Sequence, residues 1–310
     1  MIHSISFILL QRFLMRNYFA AFVCGALVLL SVSCTQKQVV ATGNAAHAAT
    51  PSTAPVALEQ QPVTAPQQMT AIDPEVEKLG AVLSSLSERA KEAIPNGDPK
   101  EFLADLHAVL EVEKTFRSDD LSLYYLIDKK HSVSSEYEPK DLMPVKNNDL
   151  WNVSRNDLSL RPEAYHALEE LSRAALADGI KLMVSSTYRS YSYQERLFAR
   201  YVAQDGEELA ERYSARPGTS QHQLGVAVDF GSITDDWGDT KMGKWVYNNA
   251  AQYGWSLSFP QEYEDVTGYM WECWHFRYIG VEACRFQKKW FGDIQQFMLE
   301  FLYAWENYKE

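Results

Sequence analysis

Residues 220–229 read SQHQLGVAVD, and a second short segment, ECWH, follows at residues 272–275. The first segment ends in an apolar run that predicts a strand, and side chains on a strand alternate between its two faces. Ala227 and Asp229 therefore share one face, and the small alanine leaves space beside the carboxylate. A glycine before the strand lets the chain turn, so we expect His222 to come back towards Asp229.

The two segments contain the donors of a metal-dependent hydrolase. A catalytic zinc site needs three protein ligands and an open position for water, and a base must accept a proton from that water. Two imidazoles, His222 and His275, join the Asp229 carboxylate, and Glu272 supplies the base. Glu272 and His275 would face opposite sides of a regular strand, so we expect Glu272 on a turn just before it. Each residue alone is more often structural, and only their combination predicts a site.

Outward from these segments, helices and strands mix without a regular β–α–β alternation. Apolar spacing predicts strands over 121–128, 180–185, 226–230 and 274–279, and helices over 161–178, 193–203, 241–253 and 293–308. This mixture favours an α+β fold in which a small, mostly antiparallel sheet is flanked by helices.

A helical hairpin is predicted over residues 73–117, ahead of a main domain over residues 118–310. Pro74 and Pro99 stand at the starts of two helical patterns, a position that proline favours, and Pro-Asn-Gly at 95–97 separates them. The hairpin either packs on the main domain, which is the expectation, or forms an independent partner-binding unit.

Residues 1–34 are predicted to be an export signal. Residues 17–33 carry no charge and follow two arginines, and small residues precede Cys34. A lipoprotein-type cleavage that leaves a lipidated Cys34 is expected, with an uncleaved membrane anchor as the alternative. Residues 35–72, rich in Ala, Pro, Thr and Gln, then predict a flexible linker. Either reading predicts an extracytoplasmic, membrane-anchored protein.

The formal net charge is -12 and the sequence has no basic run. This composition argues against a nucleic-acid partner, because phosphate binding needs clustered lysine and arginine. Two of the four cysteines lie in the predicted export signal. In an oxidising compartment the other two, Cys273 and Cys284, either form a disulfide or remain buried thiols.

The combination SxHxxGxAxD followed by ExxHFRYxG resembles the VanY-type D-alanyl-D-alanine carboxypeptidases, in the wider group of lysostaphin-like enzymes and hedgehog domains. The resemblance runs from about Leu121 to Phe301 and implies a hedgehog/DD-peptidase-like fold. Two positions depart from the family pattern. Cys273 stands where proline is common, and Gln221 stands where glutamate is common.

The resemblance also implies a role for each matching residue. It gives zinc ligands His222, Asp229 and His275, catalytic base Glu272, substrate-steadying and charge-stabilising Arg189, and pocket-lining Gln194 and Ser220. Structural alternatives exist for the last three, namely a surface ion pair for the arginine and helix surface or capping for the other two.

The implied activity is zinc-dependent removal of the C-terminal D-Ala from peptidoglycan stem peptides. The same chemistry serves an L,D-carboxypeptidase or a peptidoglycan endopeptidase, and the sequence leaves the three open. A non-catalytic wall-binding lipoprotein of the same fold is a further alternative. Loss of a ligand or of the base would favour it, whereas all four residues are present.

Overall fold

The computed structural model describes residues 73–116 and 121–309. The predicted export signal, Cys34 and the linker over 35–72 lie outside the described residues. Within the described ranges, no helix combines the length and the hydropathy needed to cross a bilayer.

The N-terminal helices are α1 (Pro74–Ser85), α2 (Glu88–Ala93) and α3 (Pro99–Phe116). The first arm of the predicted hairpin is therefore two helices, because the Ser87 side chain caps a new helix by accepting from the amide of Ala90 at 3.2 Å. These helices share the core of the main domain, as expected. On α3, the ring of Phe102 contacts four aromatic rings, those of Phe286, Trp290, Phe291 and Phe301.

The remaining elements alternate irregularly along the chain. The strands are β1 (Met143–Val145), β2 (Trp151–Val153), β3 (Leu158–Leu160), β4 (Leu182–Ser186), β5 (Ala227–Phe230), β6 (Trp255–Leu257) and β7 (His275–Tyr278). The helices are α4 (Pro162–Ala177), α5 (Tyr191–Asp205), α6 (Glu207–Tyr213), α7 (Lys241–Asn249), α8 (Glu264–Thr267), α9 (Val281–Trp290) and α10 (Gln295–Glu306). Short 3-10 helices lie at Gln221–Leu224, Asp235–Asp239 and Ala250–Tyr253.

The main sheet has the order β2-β4-β5-β7-β6, and β1 pairs with β3 separately. Among the described strands, β2 and β4 are the only parallel pair, and every other pair of neighbours is antiparallel. The predicted α+β fold with a mostly antiparallel sheet is confirmed. In the β5–β7 pair Asp229 lies directly opposite His275, so the register of the sheet brings the two sequence segments together.

The strand predicted over 121–128 is wrong. Its apolar side chains are buried as expected, but the chain turns, and the amide of Tyr125 donates to the carbonyl of Ser122. The carbonyls of Leu123 and Tyr125 accept from the buried Arg277 guanidinium at 2.8 and 2.9 Å. These carbonyls therefore satisfy a side chain instead of a neighbouring strand. Helices α6, α8 and α9 and the short strands β1, β2, β3 and β6 were not predicted from the sequence.

The two cysteines of the main domain are both buried free thiols. The disulfide alternative for Cys273 and Cys284 is therefore excluded, and the alternative of buried thiols is the one observed.

Candidate metal and catalytic centre

His222 lies on the 3-10 helix that precedes β5. The Ser220 side chain caps this helix and accepts from the amide of His222 at 3.3 Å. The helix ends at Gly225, whose φ of 71° is in the left-handed region that favours glycine. A Cβ there would also lie 3.0 Å from the Leu142 side chain. The tight turn returns His222 to Asp229 on β5, as the sequence predicts.

His275 begins β7, and Glu272 precedes it on a turn in which the amide of His275 donates to the carbonyl of Glu272 at 3.3 Å. The amide of Glu272 donates to the carbonyl of Phe259 at 3.0 Å and fixes the other side of the turn. The expected turn before the strand is confirmed. It places Oε2 of Glu272 3.6 Å from Nδ1 of His275.

The two imidazoles meet on opposite oxygens of one carboxylate. His222 Nε2 lies 3.2 Å from Asp229 Oδ2, and His275 Nδ1 lies 3.0 Å from Asp229 Oδ1. One donor atom from each of the three side chains lies within 4.8 Å of the others, and all three side chains are buried. The structure thus brings together the three residues predicted as metal ligands.

The hydrogen bonds of His222 show which of its nitrogens can bind a cation. Its Nδ1 lies 2.6 Å from the carbonyl oxygen of Thr187. A carbonyl only accepts, so we assign the hydrogen to Nδ1 and the lone pair to Nε2. Nε2 has no hydrogen-bond partner among the described residues. A buried lone pair that faces the Asp229 carboxylate is unfavourable unless a cation lies between them.

The electrostatics of two of these side chains bear on metal binding. Burial, reinforced by the nearby Arg189, lowers the pKa of His222 to about 4, so this imidazole is neutral at neutral pH. Burial raises the pKa of Asp229, but the interactions with His222 and His275 outweigh it and lower that pKa well below its usual range. A neutral imidazole and an ionised carboxylate are among the donors that zinc takes in catalytic sites. These residues fit a zinc ion.

Arg189 lies beside the same carboxylate. Its Nη1 donates to Ser186 Oγ at 3.0 Å and lies 3.7 Å from Asp229 Oδ2. Its backbone amide donates to the carbonyl of His222 at 3.2 Å, which ties it to the metal centre. Its Nε makes no hydrogen bond within the described part of the chain. The guanidinium therefore does not form the surface ion pair considered as an alternative, and it has donor capacity left for a ligand.

A cavity opens onto the centre. Its wall includes the three candidate metal ligands and Arg189, Ser220, Glu272, Tyr201, Tyr213, Ser214, Thr219, Phe259 and Tyr269. Ser220 lines the cavity, as expected. Gln194 does not, because it is fully buried and its Nε2 donates to the carbonyl of Ala215 at 2.7 Å. The structure thus places Gln194 one layer behind the wall, where it supports the segment that contacts the cavity.

Cys273, the residue that departs from the family pattern next to Glu272, faces away from these donors. Its sulfur lies 3.7 and 3.6 Å from the carbonyl oxygens of Thr234 and Asp235. Burial raises the pKa of this thiol to about 12, so it stays protonated. Cys273 therefore secures the turn that carries Glu272 and adds no ligand.

Comparison with known proteins assigns the family. The model of the VanY family, described as D-alanyl-D-alanine carboxypeptidase, matches residues 157–281. VanXYC of Enterococcus gallinarum, a bifunctional D-Ala-D-Ala dipeptidase and D-Ala-D-Ala carboxypeptidase, is 31% identical over 165 residues, which are 50% of this chain and 83% of VanXYC. The chain belongs to the VanY family. The resemblance carried by the two sequence segments is confirmed, and with it the expected enzyme class at the level of the family.

Other VanY-type relatives show how far the similarity extends. YodJ of Bacillus subtilis is 36% identical over 166 residues, which are 52% of this chain but 61% of YodJ, so the chain spans less than two thirds of that relative. The solved structure of the LdcB LD-carboxypeptidase superposes with a TM-score of 0.50 at 31% identity and covers 58% of this chain and 85% of LdcB. The fold around the centre is thus that of a VanY-type peptidase.

Proposed function

We propose that this VanY-family chain is a zinc-dependent carboxypeptidase that removes the C-terminal D-Ala from peptidoglycan stem peptides. The support is the convergence of five side chains at one pocket. His222, Asp229 and His275 converge at the end of a cavity, and Glu272 and Arg189 lie beside them. This arrangement provides a metal site, a base and an anion-binding group in the wall of one pocket.

His222, Asp229 and His275 would hold the zinc ion, which would supply Lewis-acid chemistry by lowering the pKa of a water molecule and polarising a carbonyl group. The chain itself supplies the proton transfers. Glu272 Oε2 accepts a proton from the attacking water and returns it to the leaving amine, as general base and then general acid. Arg189 is permanently charged, so its guanidinium binds the substrate carboxylate and the negative charge that develops on the scissile carbonyl oxygen.

The proposal also specifies the stereochemistry of the cleaved peptide bond. VanXYC is named for D-Ala-D-Ala substrates, whereas LdcB is named an LD-carboxypeptidase. The motif resemblance favours the D,D bond. An L,D bond to a terminal D-Ala and an internal bond are the alternatives, because the zinc, the base and the arginine would act in the same way on each.

The test is incubation of purified, zinc-loaded full-length protein with a stem pentapeptide ending in D-Ala-D-Ala and with the matching tetrapeptide. Mass spectrometry then reads the released amino acid and the shortened peptide. Release of D-Ala from the pentapeptide alone supports the D,D assignment, and release from the tetrapeptide alone supports the L,D alternative. Zinc-loaded protein that binds wall peptides and releases nothing from either would overturn the enzymatic proposal in favour of the non-catalytic wall-binding protein.

We also propose that the enzyme acts outside the cytoplasm, anchored to the membrane through a lipid on Cys34. The support is the charge-free segment before Cys34 and the Ala-, Pro-, Thr- and Gln-rich linker after it. Incorporation of a labelled fatty acid by the wild type but not by Cys34→Ala would support the lipid. Equal membrane retention of both, without label, would favour the uncleaved anchor.

A further inference from the structure

The hydrogen bond on the far side of the His275 ring determines which of its nitrogens can bind a metal. His275 Nε2 lies 3.1 Å from Gln221 Oε1, and Nδ1 faces Asp229. If Nε2 carries the hydrogen, Nδ1 presents a lone pair to the centre. If the hydrogen is on Nδ1 instead, that nitrogen cannot be a ligand. The orientation of the Gln221 amide therefore favours or disfavours the tautomer in which Nδ1 of His275 can bind a metal.

That orientation is anchored at a backbone carbonyl. The carbonyl oxygen of Ser256 can only accept, and Gln295 Nε2 donates to it at 3.3 Å. Gln295 therefore turns Oε1 towards Gln221, whose Nε2 donates to it at 3.3 Å. The Oε1 of Gln221 is then left facing His275. One main-chain carbonyl thus fixes, through two amides, the position of a hydrogen on the imidazole.

Ser258 adds a second constraint. Its hydroxyl donates its one hydrogen to Gln221 Oε1 at 2.7 Å, the nearer of two acceptors, and Gln295 Oε1 lies 3.2 Å away. The side chains of Gln221, Ser258 and Gln295 are all buried. A reversed Gln221 amide would place its oxygen against Gln295 Oε1, so that two acceptors would meet in a buried position, which is unfavourable.

We propose that Gln221, held by Gln295 and Ser258, is a positioning residue that keeps His275 in the Nε2–H tautomer and so presents Nδ1 to the metal. We name these three side chains the glutamine relay. The inference rests on the proposed metal site for its consequence, and in the metal-free chain the relay acts against the Asp229 carboxylate, 3.0 Å from Nδ1, which favours a hydrogen on that nitrogen. Since an amide is neutral, the relay orients the ring without adding charge to a centre that already holds Asp229 and Glu272.

The first experiment reads the tautomer directly. Full-length, metal-free protein labelled with ¹⁵N only in its seven histidines is measured by long-range proton–nitrogen NMR, and the His275 signals are assigned by their loss in His275→Gln. The relay requires a larger population with a protonated Nε2 and an unprotonated Nδ1 in the wild type than in Gln221→Met, which lacks the acceptor at Nε2. Equal tautomer populations in the two proteins would overturn the inference, whether or not the protein hydrolyses any peptide.

The second experiment measures zinc affinity by competition with a chelator. Gln221→Met keeps the length of the side chain but removes the acceptor, and should weaken zinc binding about 10- to 100-fold, the usual effect of losing a partner of a metal-bound histidine. Gln221→Glu restores an acceptor and should restore zinc binding to at least the wild-type level. Equal affinities in the wild type and Gln221→Met would contradict the proposal, as would failure of Gln221→Glu to recover what Gln221→Met loses.

Cooperative thermal unfolding of each variant is the folding control. If Gln221→Met does not fold, Ser258→Ala takes its place, because it deletes only a hydroxyl and one of the two constraints on the amide. The relay then requires a smaller shift of the His275 tautomer population and a smaller loss of zinc affinity. A tautomer population and a zinc affinity equal to those of the wild type in Ser258→Ala would remove Ser258 from the relay, and the same result in Gln295→Met would overturn the proposal.

Discussion

The two histidines of the centre are oriented by different means. His222 is fixed by the main-chain carbonyl of Thr187, just after β4, at 2.6 Å. His275 is fixed by the side chain of Gln221 at 3.1 Å, which depends in turn on two further side chains. A tautomer set by the main chain survives substitution of its neighbours, whereas one set by side chains does not. The comparison predicts which substitutions damage metal binding and which leave it intact.

The largest effect is expected when either histidine is removed, and it should be the same for both. His222→Ala and His275→Ala each remove one of three donors, so each should lose bound zinc and all hydrolysis, beyond the roughly 10- to 100-fold loss of metal affinity expected for an outer partner. Elemental analysis of the purified, dialysed variants measures the zinc. Near-stoichiometric zinc in either variant would show that the altered histidine is not a ligand.

The next substitution separates two functions of the turn that carries His275. Glu272→Gln keeps the shape of the side chain but removes the base, so zinc should stay bound while turnover falls about 10²- to 10⁴-fold. Zinc content and D-Ala release are measured on the same preparation. Near wild-type release from the zinc-loaded variant would remove Glu272 from the reaction, and loss of zinc would make it a ligand.

Acid titration of the metal-free protein tests how the burial of His222 affects the stability of the fold. Burial and Arg189 lower its pKa from 6.5 to about 4. As the pH falls, the imidazole is therefore protonated in the unfolded chain before it is protonated in the folded chain. The free energy of unfolding should therefore be fully retained above pH 6.5 and should fall as the pH drops towards 4, by up to about 1.4 kcal/mol per pH unit. Urea unfolding of the wild type and of His222→Ala across this range measures the contribution. Parallel stability curves for the two proteins would contradict it.

The same comparison explains how much of the centre the sequence could predict. His222, Asp229, Glu272 and His275 were found because their spacing on short segments follows from the geometry of one turn and one strand. The partners that orient them could not be found in this way. Thr187 acts through a carbonyl that every residue possesses, and Gln295 lies 74 positions from Gln221, on a helix whose apolar face alone was predictable.

Prediction of the fold from the sequence has the same limit, because it depends on local patterns. Helices α4, α5, α7 and α10 and strands β4, β5 and β7 were predicted because each has a periodic apolar pattern with a clear end. Residues 121–128 have the composition of a strand, but their carbonyls bind Arg277, which is 152 or more positions away. The break between α1 and α2 was missed for a local reason. The apolar pattern continues past Ser87, but the side chain of Ser87 caps a new helix there.

The smallest effect on metal binding is expected at Thr187, and it tests the comparison most sharply. Thr187→Val removes the hydroxyl that accepts from the amide of Ser159 at 2.9 Å but keeps the carbonyl that binds His222. The variant should lose about 1–3 kcal/mol of stability, because a buried donor is left without its acceptor. Its zinc affinity should equal that of the wild type, in contrast to Gln221→Met.

Thr187→Ser is the matched control, since it retains the hydroxyl and should recover most of the stability. Urea unfolding and chelator competition on the three proteins measure the two quantities separately. If Thr187→Val lost zinc affinity as strongly as Gln221→Met does, the main chain would not be holding His222 independently of the side chain at position 187. The two histidines would then be equally dependent on their side-chain surroundings.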